Sequence, residues 1–456
     1  MKIKTLTAAL ACALPMTGAF AAALDRSGQS ISSFLQPGNY FEVGGSVLAP
    51  DVSGKENSGN KISDMAQSYA FASAAIKIQA TDNFSVGLLF DQPFGAKAAY
   101  SGDNIFVSKP TNNVLGALPV TTAQLAGAAG STAPTGNTEV SVETHNLALI
   151  FGFQPNENFN FYAGPVYQEV KGDVNLRGSA YSLYNGYDAH IKNTDGWGWL
   201  AGIAYQIPEI ALKASLTYRS EIDHDVNIEE RTPLVNDLTT AAGNGALAQL
   251  MQSLGSNPNI APLLPSIQAA IGGAIAANGA SSKETRITTP QSVNLDLQSG
   301  IMADTVAFVN IRWVNWEDFA LRPYKFGAIS EQVGGLLNPS RPNGFNLVQY
   351  SKDQWSVTTG VGRKFSDKWA GNASVGWDSG AGNPVTTLGP TEGYWNVGLG
   401  LQYSPAPNYF VAGGVKYFWL GDAKAQTGAQ AGSDQYVAEF SDNNAIAYGL
   451  KLGYRF

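Results

Sequence analysis

The last nine residues of the chain, 448–456, alternate between two kinds of side chain. The apolar positions are Tyr448, Leu450, Leu452, Tyr454 and Phe456. Successive side chains of a strand point to opposite faces, so the other face of this segment is small or cationic. A strand with lipid on one side and a wet lumen on the other has this pattern. The segment therefore predicts the closing strand of a transmembrane β-barrel.

The composition fits the same class of protein. Charged residues make up 14% of the 456 residues, against about 25% in soluble domains, and the chain holds 50 Gly, 19 Tyr, 21 Phe and 9 Trp. The mean hydropathy of −0.09 excludes a helical membrane protein. A net charge of −8 without a basic stripe argues against a nucleic-acid partner.

The N-terminus reads as a signal for export. A basic start, Met1–Lys4, precedes a modest apolar stretch and small residues suited to cleavage, which predicts a signal peptide over residues 1–21. Cys12, the only cysteine, lies inside this peptide in a poor lipidation motif. The exported chain therefore has no disulfide framework and no thiolate metal site.

Alternation along the chain predicts fourteen strands. They cover residues 39–50, 66–80, 82–92, 140–154, 157–171, 196–207, 209–228, 285–300, 303–317, 351–365, 367–379, 391–404, 407–421 and 444–456. Tight turns alternate with long loops, and an even strand count closes the sheet without a lipid-exposed edge. We predict an all-β fold, a 14-stranded antiparallel barrel over residues 39–456, with both termini periplasmic and residues 22–38 as a short luminal segment.

Two further features concern the long loops. Residues 236–280 contain two helix-like stretches that are broken at Asn257–Pro258, so the extracellular loops are expected to be partly helical. Trp313 shares the parity of the lipid-facing residues and is expected in an aromatic girdle, whereas Trp316 has the opposite parity.

Several segments resemble the FadL-type outer-membrane transporters of long-chain fatty acids and other hydrophobic compounds. They are GWGWLAGIAY at 196–205, ASLTYRSEIDH at 214–224, WVNW at 313–316, KDQW at 352–355, GNASVGWD at 371–378 and YW at 394–395. The resemblance implies passive uptake from outside through a fourteen-stranded barrel, with a luminal hatch and sideways release into the membrane. The closing strand that ends at Phe456 likewise resembles the signature read by the barrel-assembly machinery.

The family's opening in the barrel wall matches Pro93, Phe94 and Gly95 by position. Pro93 cannot donate to a ladder and Gly95 weakens pairing, so a gap here is physically reasonable. The alternative is that Pro93 simply ends the strand. The resemblance also places helical extracellular loops at 172–195 and 229–284.

The chain departs from the family in two respects. Its luminal segment, 22–38, is much shorter than the usual hatch and lacks the Asn-Pro-Ala motif. We expect it to thread the lumen without forming a full plug. The family's carboxylate-holding cations have no counterpart in register, although Arg341 and Lys352 flank the second of them, so Lys171 and Arg177 become the candidates nearest the first.

Binding a fatty acid needs a long apolar slot and one polar group at its mouth. Each buried methylene contributes about 0.8 kcal/mol, so the tail sets affinity and a cation sets orientation. Tyr181 and Tyr184 are the candidate aromatic lining. Alternatively, these tyrosines pack the loop, and Lys171 and Arg177 are only solvated charges at its base.

Other functions remain as alternatives: a channel for aromatic or alkane hydrocarbons, a general porin, and a barrel lipid hydrolase. The last is disfavoured because no nucleophile elbow occurs, and the side chains of Asp223, His224 and Asp225 would not converge on a metal. We expect no enzyme activity, cofactor or metal, and a monomer in the bacterial outer membrane that contacts lipid and lipopolysaccharide.

Overall fold

The computed structural model describes residues 24–116 and 118–456 and shows a closed barrel of fourteen antiparallel strands. The first strand, β1 (Tyr40–Asp51), pairs along its whole length with the last, β14 (Asn444–Arg455). This pairing leaves no free edge, as a membrane-spanning sheet requires. The predicted fold class is confirmed. The predicted signal peptide lies outside the described residues.

Each predicted strand overlaps one barrel strand. The others are β2 (Tyr69–Gln79), β3 (Phe84–Asp91, with an outer piece Gly95–Ala99), β4 (Glu139–Phe153), β5 (Phe159–Asn175), β6 (Asp188–Ile207), β7 (Leu212–Arg219, with an outer piece Ile222–Val226), β8 (Ser292–Met302, with an outer piece Thr285–Thr289), β9 (Thr305–Val314), β10 (Gln354–Lys364), β11 (Trp369–Asp378), β12 (Tyr394–Ala406) and β13 (Tyr409–Leu420). Short turns join the strands at one end, the turn end, and long loops join them at the other, the loop end.

The two faces of the closing strand are as the alternation predicts. Leu450 is 65% exposed on the outside of the barrel, whereas the neighbouring Lys451 is buried inside. The Lys451 ammonium meets the Glu42 carboxylate of β1 at 2.9 Å. An apolar outer face and paired charges inside suit a wall between lipid and a filled lumen.

The prediction for the loop between β5 and β6 was wrong in extent. Both strands run well beyond the expected ends, so the loop covers only 176–187 rather than 172–195. It contains a 3-10 turn, Ser179–Tyr184, and no α-helix. The strands extend because Val174 and Ile191 continue the buried alternation into the loop region.

The strand predicted over 209–228 is broken at residues 220–221. Its outer piece, Ile222–Val226, pairs with the outer piece of β8 instead of β6. This hairpin lies close over Gly196 and Gly198. A Cβ at Gly196 would be 2.6 Å from the Asp223 carbonyl oxygen, so the close approach requires glycine there.

Five helices lie in the long loops. They are α1 (Thr122–Ala129), α2 (Pro233–Gly243), α3 (Ala246–Gly255), α4 (Leu264–Gly279) and α5 (Tyr324–Leu337). The predicted helix-like region therefore holds three helices, and α1 and α5 were not predicted. Among residues 24–116 and 118–456, no helix is long and apolar enough to cross a membrane.

The loops also contain short strands. Five form a small sheet: Gly54–Glu56, Lys61–Ile62, Val385–Thr386, Ala423–Gln426 and Ala438–Phe440. Ala320–Leu321 pairs with Val348–Gln349, and Glu229–Arg231 extends the sheet beside β6. This layer covers the loop end of the barrel.

Residues 24–38, which we call the N-terminal segment, lie inside the lumen. Phe34 is fully buried, and a Cβ at Gly87 of β3 would be 2.5 Å from its ring. Lys77 of β2 and Lys213 of β7 donate to the carbonyl oxygens of Gln36 and Leu35, both at 2.7 Å. The segment thus reaches strands on different sides of the barrel despite its short length.

Candidate functional site

An outer cavity of about 200 Å³ lies among the loops, with Tyr181 and Tyr184 in its wall. The Tyr184 ring packs against Phe326 of α5 with centroids 4.3 Å apart, and its hydroxyl donates to the Phe326 carbonyl oxygen at 2.8 Å. The Tyr181 hydroxyl is 3.0 Å from the Thr387 hydroxyl. These contacts fix both rings at the edge of an amphipathic chamber.

Burial further favours the neutral form of both tyrosines. It raises the pKa of Tyr181 and of Tyr184 well above the ordinary value. The two hydroxyls therefore remain neutral hydrogen-bonding groups, and they place no charge beside the outer cavity. The chamber suits a molecule with a large apolar part.

An inner cavity of about 70 Å³ lies deeper, at the outer part of the lumen. Its lining is mostly apolar, with hydroxyl groups only on three threonines and Tyr350: Leu24, Phe94, Ala96, Val140, Val142, Thr144, Val170, Val174, Ile191, Ile287, Thr289, Pro290, Trp316, Phe319, Leu321, Val348, Tyr350, Thr386, Leu388 and Gly389. Leu388 also lines the outer cavity, so the two chambers adjoin. A hydrophobic cavity lined by aromatic rings is the usual form of a binding site for apolar ligands.

Trp316 anchors the inner cavity. It is fully buried, its ring lies 5.5 Å from that of Phe94, and its indole N–H donates to Gln354 at 2.7 Å. The bond satisfies the only polar atom of the side chain, so the ring can present its face to the cavity. The sequence had predicted that Trp313 and Trp316 face opposite sides of the barrel wall, because they have opposite parity along the strand.

A buried ion pair lies beneath the inner cavity. Arg312 of β9 donates from Nε to the Asp25 carboxylate at 2.6 Å, and both residues are 3% exposed. Its other nitrogens donate to Asn294 at 2.6 Å and to Gln29 at 3.0 Å. This network binds the N-terminal segment to the wall and makes the lumen polar below the cavity.

The backbone ladder between β2 and β3 is interrupted. The ladder between these strands runs from the turn end as far as the pair Ala74–Phe90. An isolated bridge, Ala66–Ala98, rejoins the two strands nearer the loop end. We call the opening between these pairs the wall window. Within it, the Ala72 N–H is bonded to the Gln92 side-chain oxygen at 2.8 Å in place of a backbone acceptor.

The N-terminal segment takes the place of β2 at this edge. The Arg26 N–H donates to the Pro93 carbonyl oxygen at 2.6 Å, and the Gly95 N–H donates to Leu24 at 2.7 Å. On the β4 side, the Phe94 N–H is satisfied by the Thr144 hydroxyl at 2.9 Å. Pro93 has no N–H, so the break in β3 occurs where a regular ladder would fail.

The predicted site residues divide into two groups. The structure brings Tyr181 and Tyr184 together at the outer cavity, and Pro93, Phe94 and Gly95 at the wall window. The two predicted cations lie apart from both cavities. Lys171 is half-exposed on the outside of the barrel, where it pairs with Glu143 at 3.0 Å.

Arg177 serves the loop between β5 and β6. It pairs with Asp188 at 2.6 Å and donates to the carbonyl oxygens of Leu176 and Tyr187, each at 3.0 Å. Its nitrogens are thus used to close the loop on itself. The placement gives no direct support to a head-group role for Arg177 or Lys171.

Sequence reasoning missed several residues of the site. Leu388, Phe326 and Phe345 come from distant loops, and nothing in their local pattern marks them. Asp25 and Arg26 lie in the N-terminal segment. Two adjacent charges in this short segment were the one sequence signal that could have marked them as site residues. Arg312 was also visible as a charge on the luminal parity of its strand.

Comparison with known proteins identifies the family. The model described as outer membrane protein transport protein (OMPP1/FadL/TodX) matches residues 117–456. The chain belongs to this family. It is therefore an outer-membrane β-barrel that transports hydrophobic compounds, and not an enzyme. Among curated proteins, none matches the sequence.

Solved structures of FadL-type proteins share the fold. A Pseudomonas aeruginosa FadL homologue has a TM-score of 0.60 and 13% identity, covering 99% of this chain and 98% of that one. The toluene transporter TodX of P. putida has a TM-score of 0.52 and 12% identity, over 93% and 91% of the two chains. The Ralstonia pickettii toluene transporter TbuX has a TM-score of 0.52 and 10% identity, covering 97% of each chain.

Proposed function

We propose that this FadL-family barrel takes up long-chain fatty acids or related hydrophobic compounds passively and releases them sideways through the wall window. One observation carries the proposal: Phe94 of the window also lines the apolar inner cavity. An apolar molecule in that cavity is thus already next to the opening. Tyr181 and Tyr184 are proposed to line its path through the outer cavity.

The physical chemistry of the lumen favours a lateral exit. Below the inner cavity lie the Asp25–Arg312 pair, Asn294 and the N-terminal segment, all of which are hydrogen-bonded. An apolar tail forced past these groups would break their bonds and leave buried polar atoms unpaired, which costs about 1–3 kcal/mol each. The window leads instead toward lipid, where the tail stays in an apolar medium.

Two substrate classes fit the cavities. A fatty acid gains about 0.8 kcal/mol for each buried methylene, so its affinity does not depend on Lys171 or Arg177. A channel for aromatic hydrocarbons is the second candidate, supported by the structural likeness to toluene transporters at the level of the fold. A general porin is less favoured, because the N-terminal segment fills part of the lumen.

Binding to the purified barrel tests the proposal. A fluorescent long-chain fatty acid is titrated into the protein in detergent and then displaced by oleate, toluene or a disaccharide. Displacement by oleate or toluene, but not by the sugar, is expected and identifies the preferred class. No binding, together with sugar permeation in liposomes, would contradict the proposal and indicate a porin.

We further propose that the barrel-assembly machinery recognises β14 together with Phe456, the residue that follows this strand. We also propose that the protein is a monomer. Phe456 is 54% exposed and stacks on Tyr454 with centroids 5.7 Å apart. An exposed aromatic pair at the turn end of the closing strand supports this reading. Lipid and lipopolysaccharide are the remaining expected partners of the outer face.

A further inference from the structure

Arg26 is a buried cation with unsatisfied nitrogens. The residue is only 5% exposed, and its Nε and Nη2 atoms have no hydrogen-bond partner among the residues that the structure describes. No carboxylate in the described chain lies within ion-pair distance of its guanidinium. A buried charge without a counter-charge is costly, and folded proteins normally pair it.

The carboxylates near Arg26 are engaged elsewhere. Asp25, its neighbour in sequence, pairs with Arg312 at 2.6 Å. Glu143, which lies opposite Gly95 in the ladder, pairs with Lys171 at 3.0 Å on the outside of the barrel. Among residues 24–116 and 118–456, no carboxylate therefore forms an ion pair with Arg26, and its Nε and Nη2 atoms are left without a partner.

Arg26 is held in one place by its surroundings. Its guanidinium lies over the Tyr69 ring of β2, 3.7 Å from the centroid, and the backbone N–H of Arg26 donates to the Pro93 carbonyl oxygen at 2.6 Å. Gly95 provides the space, because a Cβ there would be 2.3 Å from the guanidinium carbon. The cation thus lies in the wall window, between β2 and the break in β3.

The position of Arg26 also relates it to the inner cavity. Leu24, two residues earlier, lines that cavity, as do Phe94 and Ala96 on either side of Gly95. Ser27, the next residue, lines a separate polar chamber in the lumen. A cation at the boundary between an apolar cavity and the window matches an amphiphile with a long tail and an anionic head.

We propose that Arg26 binds the carboxylate of an amphipathic substrate at the wall window. The inference rests on the proposed function and narrows it to hydrophobic carboxylates in preference to neutral hydrocarbons. The fork of guanidinium N–H groups matches the two oxygens of a carboxylate. Bringing the head group to Arg26 supplies the missing counter-charge and orients the tail along the apolar cavity.

The test compares a matched pair of ligands, oleate and oleyl alcohol, which differ only in the head group. Each displaces a neutral fluorescent probe, N-phenylnaphthylamine, from the purified full-length barrel. Arg26→Met keeps an unbranched apolar side chain but removes the guanidinium and its charge, and Arg26→Lys keeps the charge. Lys192→Met removes an exposed cation that pairs with Glu229 outside the window and serves as the control.

The expected result is selective. Arg26→Met weakens oleate binding by about tenfold or more, because it removes the charge-assisted hydrogen bonds to the carboxylate. Binding of oleyl alcohol stays within about twofold of the native value by the same reasoning, which also shows that the variant is folded. Arg26→Lys recovers part of the oleate affinity, and Lys192→Met leaves the binding of both ligands unchanged.

Two results would overturn the role of Arg26. An equal loss for oleate and oleyl alcohol would mean that Arg26 only packs the window, and no loss for either would mean that it does not meet the ligand. Failure of the native protein to bind the probe or either ligand would instead reject the proposed function itself. The two failures are therefore distinguishable.

Discussion

At the scale of single residues, the buried charges explain how a short N-terminal segment stays in the lumen. Arg312 contacts Asp25, Gln29, Asn294 and Ser292, so one side chain joins the segment to two strands. Inside a barrel these bonds are shielded from water, and each is worth more than on a surface. The segment is held by a few strong contacts rather than by length.

Replacing Arg312 should release the N-terminal segment. Arg312→Met leaves Asp25 as an uncompensated buried charge, which destabilises by about 3–5 kcal/mol when a buried pair is broken. Hydrogen exchange of amides 25–29 should become much faster, while β11 and β12 remain protected. The double variant Asp25→Asn with Arg312→Met should lose less than the two single variants together, and unchanged exchange in Arg312→Met would contradict this account.

Glu392 makes one extracellular loop sensitive to pH. Its carboxylate accepts the Gly382 N–H at 3.1 Å, and burial raises its pKa to about 7 from a usual value of 4.5. The folded loop therefore binds a proton more tightly than the unfolded chain does. Its stability is greatest below about pH 4.5 and falls as the pH rises toward 7.

Hydrogen exchange of residues 379–393, corrected for intrinsic rates, should accordingly be slower at pH 5 than at pH 8. Glu392→Gln cannot ionise and should remove the difference between the two conditions. Equal protection of the native loop at both pH values would show that the carboxylate is not shielded as the structure indicates.

At the scale of elements, the outer cavity depends on how α5 packs against its own loop. Gly334 of α5 is buried, and a Cβ there would be 2.3 Å from the Arg341 carbonyl oxygen. At the next residue, Gly335, the nearest atom would be 3.7 Å away, an ordinary contact. The packing of α5 therefore requires glycine at position 334 but leaves space for a Cβ at position 335.

The pair gives a matched test. Gly334→Ala should push α5 away from residues 341–344 and speed hydrogen exchange throughout 324–345. Gly335→Ala should leave exchange unchanged or slow it, because alanine favours a helix over glycine by about 1 kcal/mol. If both variants behave alike, α5 does not pack as closely as the structure shows.

The same scale shows what sequence can predict. Alternation identified all fourteen barrel strands and the faces of β14, because lipid and lumen impose a period of two on each strand. It could not foresee α5, whose position depends on contacts between Phe326 and the distant Tyr184. Pro93 marked the break in β3 through local backbone chemistry, but its partners in the N-terminal segment are about seventy residues earlier and have no local signal.

At the scale of the whole molecule, the barrel arranges two cavities and one opening in series. The outer cavity adjoins the inner cavity at Leu388, and the inner cavity meets the wall window at Phe94. The N-terminal segment fills part of the polar lumen beyond. This order of apolar before polar compartments favours transport that ends in the membrane.

The most direct measurement is oleate uptake by cells whose wall window is held shut. Continued beyond Ala74–Phe90, the register would align Ser73 with Asp91 and then Ala72 with Gln92, so the double variant Ala72→Cys with Gln92→Cys is designed to form a disulfide across the window. The only native cysteine, Cys12, lies in the predicted signal peptide. A control variant, Val375→Cys with Val397→Cys, joins two strands that are already paired far from the window.

Lateral release predicts that uptake of radiolabelled oleate falls toward background in the oxidised window variant and returns after reduction. The control variant should transport normally in both states. Native uptake by the oxidised window variant, with the disulfide shown to be complete, would contradict release through the wall.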